Sequence, residues 1–304
     1  NGASGGGKET PAGNQTLLQK AEILMAGQAR EKTGMKILGL GDCCMDYYIQ
    51  EHTAYPGGNA LNVAVFAKEN GAETAFLGTI GTDISGKHIA ETVKAMGIDI
   101  SHSPIKTGNT VKAAVNIIDG DRVWDPNYFK EKNWVGTAFP PMLSENDMEY
   151  VKGFDLVHGS CYSRLEDQFL RIAGLGPLLS FDFADEEEYR EDAYLQALCP
   201  VLDLGLFSCE HMSDGEIEEF GKKIMGFGCR NTLMTMGKRG QRLFTESGES
   251  YTGKAKEIQA IDTMGAGDSF FAAFLTGLLK RGWKKGGRIT EEVAVPSLGG
   301  AAEC

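Results

Sequence analysis

Asp262-Thr263-Met264-Gly265-Ala266-Gly267-Asp268 is followed by the apolar run Phe270, Phe271, Phe274, Leu275, Leu278 and Leu279. The run has the 3.6-residue spacing of a helix, and Glu257–Ile261 before it reads as a strand. A strand that enters a turn of small residues and leaves as a helix points the amides of Gly265, Ala266 and Gly267 outward together. Free N–H groups and the positive end of the helix dipole make that turn an anion site. Asp268 stands at its edge, where a carboxylate can take the proton of an attacking hydroxyl in phosphoryl transfer. An aspartate before a helix is often only a cap. The Gly-Ala-Gly run argues otherwise, because glycine in a helix costs about 1 kcal/mol against alanine.

Outward from this turn, the chain alternates short apolar runs with amphipathic stretches. Lys36–Leu40 reads as a strand, Asn59–Asn70 as a helix closed by Gly71, Thr74–Leu77 as a strand and Ser85–Met96 as a helix stopped by Gly97. Residues 111–119 and 121–124 flank Asp119-Gly120-Asp121, a hairpin signal. Asp155–His158, Leu178–Phe183, Leu202–Phe207 and Thr232–Thr235 are further strands. Such alternation predicts a mostly parallel sheet covered on both faces, with ligands beyond the carboxyl ends of its strands. Residues 1–34 stand apart as a Gly/Ser-rich leader or linker with a short helix near Leu17–Met25, and 35–304 form the main domain. Gly286-Gly287 and Pro296 are expected to break any helix near the end.

Composition bounds the function. The chain has 304 residues, 42% of them hydrophobic, and a formal net charge of −12, so general affinity for nucleic acid or anionic membrane is not expected. Seven cysteines without a C-x-x-C pair read as reduced thiols. No apolar run reaches the roughly 18 residues of a membrane span, and the expected location is cytoplasmic. Gly2–Lys8 matches most of a phosphate loop, but Glu9 replaces the Ser or Thr that the loop needs. Gly39-x-Gly41 lacks the third glycine of a dinucleotide site. His158 is expected to be a satisfied core or rim residue, His102 and Arg122 to lie in solvated loops, and Glu186–Glu188 to form a solvated face.

The turn at 262–268 resembles the C-terminal signature of the ribokinase family, the PfkB carbohydrate kinases. Four more stretches are similar to that family's elements and occur in its order over about residues 36–281. They are Gly41-Asp42-Cys43-Cys44-Met45-Asp46, Gly57-Gly58-Asn59-Ala60-Leu61-Asn62, Gly81-Thr82-Asp83-Ile84-Ser85-Gly86 and Thr235-Met236-Gly237-Lys238-Arg239-Gly240. The resemblance implies a ribokinase-like three-layer α/β/α sandwich with a small β lid, formed by segments near 47–56 and 110–124. It implies that Asp46, Gly57, Gly58 and Asn62 hold a sugar. Thr235, Gly237, Gly240 and Asp262 would lie along ATP, Gly265–Gly267 would form the anion hole, and Asp268 would be the base. It implies Mg²⁺ with ATP, leaves room for a monovalent cation, and implies a homodimer paired through the lids.

Ile98–His102, Asp121–Trp124 and Phe181-Asp182-Phe183 further resemble the branch of fructoselysine 6-kinases, which phosphorylate the 6-hydroxyl of an Amadori sugar on lysine. Ribose, fructose and 2-keto-3-deoxygluconate are the alternative substrates, and a non-catalytic sensor is the alternative function. The family's metal-organising N-x-x-E is replaced here by Ser208-Cys209-Glu210-His211, which leaves Glu210 as a candidate carboxylate.

Overall fold

The computed structural model describes residues 34–118, 121–130, 133–256 and 265–302. The strand expected at 257–261, the leader, Asp262 and the loop residues Asp119 and Gly120 lie outside these. An eight-stranded sheet runs through the molecule. At one edge is β4 (Glu73–Leu77), followed by β1 (Lys36–Leu40), β9 (Leu156–Ser160), β10 (Leu178–Asp182), β11 (Leu204–Ser208) and β12 (Asn231–Thr235), all parallel. An antiparallel pair that the sequence reading passed over, β13 (Gln241–Thr245) and β14 (Ser250–Gly253), completes the other edge. Its turn is marked by Gly248 at φ 81°.

Strand residues alternate between two cores. Ile37, Leu178, Leu204 and Leu233 join the helices Asn59–Glu69, Ala266–Lys280 and Glu291–Ala301 on one face. Leu38, Leu179, Phe207 and Met234 join the helices Glu145–Val151, Glu166–Ile172, Asp192–Leu198 and Asp214–Gly226 on the other. Burial on both faces is why these strands read as unbroken apolar runs.

A separate four-stranded sheet leaves the main one just past β1. Its order is β3 (Thr53–Gly57), β2 (Cys44–Tyr48), β7 (Val111–Ile118) and β8 (Asp121–Trp124). A short parallel pair, β5 (Ile80–Gly81) with β6 (Ile105–Lys106), lies between the sheets in sequence. Here the stretch Gly81–Gly86 has a structural reading. Asp83 caps the Ile84–Ala95 helix by accepting from the Gly86 amide at 3.0 Å, and it also accepts from the Thr110 hydroxyl at 2.7 Å. A Cβ on Gly86 would come within 2.0 Å of the Gly81 carbonyl, so only glycine allows that approach.

The C-terminal expectation is corrected. Glu291–Ala301 is a helix with Pro296 inside it. Proline there forfeits one backbone bond and costs about 3 kcal/mol. Burial of Ala294, Ser297, Leu298 and Ala301 offsets that loss. The helix also lies very close to its neighbour: a Cβ on Gly277 would meet Ser297 at 3.2 Å.

The carboxyl end of β1 is where the topology opens a crevice, because β4 lies on one side of β1 and β9 on the other. The Asn59–Glu69 helix crosses β1 there so closely that a Cβ on Gly39 would stand 2.2 Å from the Ala60 carbonyl oxygen. Gly39→Ala is therefore expected to push this helix away. It should cost about 1–3 kcal/mol, lowering Tm by roughly 3–10 °C in a thermal melt. A Tm within about 1 °C of the parent would contradict the packing described.

Candidate functional site

Asp42 follows β1 and organises the crevice. Its Oδ2 accepts the Asn59 amide at 2.7 Å, and its Oδ1 accepts the hydroxyls of Ser160 at 2.8 Å and Ser163 at 2.7 Å. A carboxylate at a helix N-terminus suits the dipole, so Asp42 fixes the start of the Asn59–Glu69 helix against the ends of β1 and β9. The helix begins after Gly58, whose φ of 106° and close approach to Cys43 (Cβ to Cα, 2.7 Å) both require glycine.

That helix start sets Asn59 and Asn62 over the first turn of the Ala266–Lys280 helix. Asn62 donates from Nδ2 to Asp268 Oδ2 at 2.8 Å. The Asn59 amide group donates one hydrogen to Asp268 Oδ1 at 2.8 Å and the other to Asp182 Oδ2 at 2.7 Å. Asn59 Oδ1 faces His158 Nε2 at 2.8 Å, and His158 Nδ1 faces the Ser180 hydroxyl at 3.0 Å. Ionised carboxylates only accept, so both Asn59 hydrogens go to them and Oδ1 is left to accept. His158 then carries its proton on Nε2 and accepts from Ser180 on Nδ1. Complete burial holds His158 neutral, its pKa lowered to about 3.

The carboxyls of this cluster are raised. Burial pushes Asp268 up to about 7, with the charges of Asp182, Asp42 and Asp46 adding to the rise and the Asn62 bond opposing it. Burial pushes Asp182 up to about 6, against the bonds from the Ala184 amide and Asn59. Asp46, on β2, is 4% exposed, and its Oδ1 accepts the Cys44 thiol at 3.0 Å. Gly57 on β3 lies against it so closely that a Cβ would reach Asp46 Oδ2 at 2.0 Å.

These groups share one cleft of 600 Å³ between the main sheet and the four-stranded sheet. Of the residues expected from the sequence, Asp46, Gly58, Asn62, Gly265, Gly267 and Asp268 line it. Gly57 supports Asp46 from behind, and Ala266 opens the Ala266–Lys280 helix beside them. Gly265 adopts φ 68° at the helix start, and the first-turn N–H groups there have no intrahelical acceptor.

Thr235, Gly237 and Gly240 do not line the cleft. They sit beside it at the end of β12, where Thr235 pairs with the cleft residue Ser208. Their glycines have local reasons. Gly237 has φ 56°, and a Cβ there would stand 2.4 Å from Glu210 Oε1; Gly240 has φ 90° beside the Gly253 carbonyl. Glu210 thus lies on the Gly237 turn rather than beside Asp268. Asp262 is outside the described residues.

Sequence reasoning missed Ser160 and Ser163, set His158 aside, and quoted Asp42, Asn59 and Asp182 only within stretches of resemblance, without a role. The available signal was a polar residue at the carboxyl end of each apolar strand. His102 is also corrected: it pairs with Asp147 at 2.6 Å and stacks on Tyr150 at 3.8 Å. Glu186 is exposed, as expected for 186–188, and it also lines the cleft.

Residues 44–298 match the family model for pfkB family carbohydrate kinases. The chain is 36% identical over 243 residues to the fructosamine kinase of Bacillus subtilis (strain 168), covering 80% of this chain and 83% of that protein. It is 33% identical over 262 residues to the fructoselysine 6-kinase of Escherichia coli (strain K12), covering 86% and 94%. Two solved structures share the fold. The ribokinase of Arabidopsis thaliana, complexed with ribose and ATP, superposes with a TM-score of 0.67 at 19% identity over 89% of this chain and 92% of that one. The fructokinase of Vibrio cholerae O395, bound to fructose, ADP and calcium, gives 0.67 at 19% over 90% and 92%. The fold is ribokinase-like, and the match runs from β2 into the last helix: the chain belongs to the pfkB family of carbohydrate kinases, phosphotransferases that act on a sugar hydroxyl.

Proposed function

We propose that this chain transfers the γ-phosphoryl group of ATP to the 6-hydroxyl of fructoselysine, with Asp268 as the general base. The observation that carries the reading is the position of Asp268. It lies in the cleft at a helix N-terminus, held by two asparagine amides at 2.8 Å, with its carboxyl raised to about 7. A base with a pKa near neutrality combines a useful ionised fraction with real proton affinity. The two relatives named for fructosamine and fructoselysine support the acceptor.

In this reading Asp46 and Asn62 hold sugar hydroxyls, with Gly57 and Gly58 letting the backbone come close. Asp268 takes the proton of the acceptor hydroxyl as its oxygen bonds to the γ-phosphorus and the bond to the ADP oxygen breaks. The amides of Gly265, Ala266 and Gly267 receive the charge on the transferring oxygens. Thr235, Gly237, Gly240 and Asp262 lie along the nucleotide. The four-stranded sheet is the lid, and lids of two copies pair in a homodimer.

The donor set fits Mg²⁺ that comes bound to phosphates. Asp182 lines the cleft, yet among the described residues no group of three His, Cys, Asp or Glu is placed to hold an ion alone. Magnesium commonly takes one or two carboxylates and completes its shell with phosphates and water. When bound it neutralises phosphate charge. Among the described residues no helix is long and apolar enough to cross a membrane.

Asp268→Asn is expected to lower kcat on the order of 10²–10⁴-fold while sugar binding persists. A kcat within about threefold of the parent would remove Asp268 from the base role. The acid limb of the parent's kcat/KM profile should rise toward a plateau with an apparent pKa near 7, because only the ionised carboxyl accepts the proton. Asn62→Leu removes a donor to that ionised form, so its acid limb should move to higher pH. An unmoved limb would show that another group titrates.

A further inference from the structure

The described residues hold three non-glycine residues with left-handed backbone: His52 at φ 51°, Arg164 at φ 54° and Ala184 at φ 54°. Two of the three, Arg164 and Ala184, line the cleft. Both lie past the carboxyl ends of neighbouring strands, Ala184 soon after β10 and Arg164 after the Cys161–Ser163 turn that follows β9. Each such residue costs about 1–2 kcal/mol that glycine would avoid. Strain of this kind gathers at ligand sites.

Ala184 has a visible reason for its conformation. Its N–H holds Asp182 Oδ1 at 2.8 Å, its carbonyl accepts the Ser208 amide at 3.0 Å, and the turn then carries Glu186 to the cleft rim. Arg164 ends the Cys161–Ser163 turn in the left-handed conformation common at helix C-termini, a place that glycine would fill at lower cost. It follows Ser163, which is fixed on Asp42, and its exposed guanidinium makes no hydrogen bond or ion pair among the described residues. The fold therefore does not need this side chain, although it tolerates a strained backbone to present it. Charge sharpens the point. Asp42, Asp46, Asp182, Asp268 and Glu186 all line the cleft, and Arg164 is the one Lys or Arg among its described lining residues. Away from the Gly265–Gly267 turn that serves the phosphates, a ligand carboxylate would meet only like charge in this cleft except beside Arg164.

The two loops also meet. The Tyr162 hydroxyl donates to Glu186 Oε1 at 3.4 Å, which brings Glu186 to the loop that carries Arg164. Tyr162 is 50% exposed, and Trp124, reaching in from β8, is 51% exposed. A cation, an anion and uncovered aromatic faces on one rim match a zwitterion joined to the sugar by a flexible apolar chain.

We infer that the loops after β9 and β10 form an amino-acid subsite, in which Arg164 pairs with the α-carboxylate and Glu186 with the α-ammonium group of an amino acid attached to the sugar. The inference rests on the fructosamine reading above and gives it a specificity device. A bidentate guanidinium–carboxylate pair suits the acid end, and the methylene chain between that zwitterion and the sugar crosses Tyr162 and Trp124.

The test uses three acceptors with ATP and the full chain: fructoselysine, its α-carboxamide and its α-N-acetyl derivative. The parent should prefer fructoselysine over each analogue by about tenfold in kcat/KM, as suits charge-assisted pairs at an exposed rim. Arg164→Gln should erase the preference over the carboxamide and keep the preference over the acetyl derivative. Glu186→Gln should do the reverse, and Arg164→Lys should retain part of the acid preference. If Arg164→Gln loses the same factor on fructoselysine and on the carboxamide, the arginine serves the phosphates or the fold, and the subsite is overturned. Should the parent turn over all three acceptors alike, the fructosamine reading stands and the subsite alone fails. Should it turn over none of them, both fail.

Discussion

One primary amide joins the two carboxylates on which the site depends. Asn59 gives one hydrogen to Asp268 and one to Asp182, at 2.8 and 2.7 Å. Without it, two buried like charges would face each other with less to hold them. With both hydrogens so committed, its Oδ1 accepts from His158, which burial keeps neutral and whose Nδ1 faces the Ser180 hydroxyl. The chain Ser180–His158–Asn59–Asp268 thus runs from the sheet core to the reacting edge of the cleft. Everything else in the fold serves to bring its ends together. The Gly39 approach sets the Asn59–Glu69 helix on β1, Asp42 pins the start of that helix, and β9 and β10 supply His158 and Asp182.

Concentrating carboxylates here carries a stability cost with a definite sign. Asp268 and Asp182 have folded-state values raised to about 7 and about 6. The folded chain therefore holds protons that the unfolded chain has already released over the window between an ordinary carboxyl pKa and those values. Below that window both states hold the same protons and the cost is absent; it grows as the pH rises through the window and is present in full above about pH 7. Helix N-termini at Asn59 and Ala266 lower this cost by placing positive dipole ends at Asp42 and Asp268. The cost is consistent with a site shaped for proton transfer rather than for maximal stability.

Much of the fold was legible in the sequence because the physics is local or periodic. Lys36–Leu40 and the Asn59 helix announced themselves by apolar runs and a closing glycine, and the Asp268 turn by small residues before a helix. What escaped depended on partners far away in the chain. Asp42 looks like a turn residue until Ser160 and Ser163 arrive from more than a hundred positions on. Asn59 is an ordinary polar helix start until Asp182 and Asp268 face it. The last helix escaped for a different reason: its proline argues against it locally, and only packing on the Ala266–Lys280 helix overrides that. Arg164 gave no sequence signal, since a left-handed backbone at a non-glycine residue is visible only in three dimensions.

The most direct measurement of this account is the titration of the Asp268 carboxyl itself, by carbon-13 NMR on aspartate-labelled protein without substrate. The account predicts an inflection near pH 7, well above the ordinary range, and a second raised carboxyl near 6 from Asp182. An Asp268 inflection near pH 4 would contradict it, because the buried carboxylate cluster would then not be setting the proton affinity of the base.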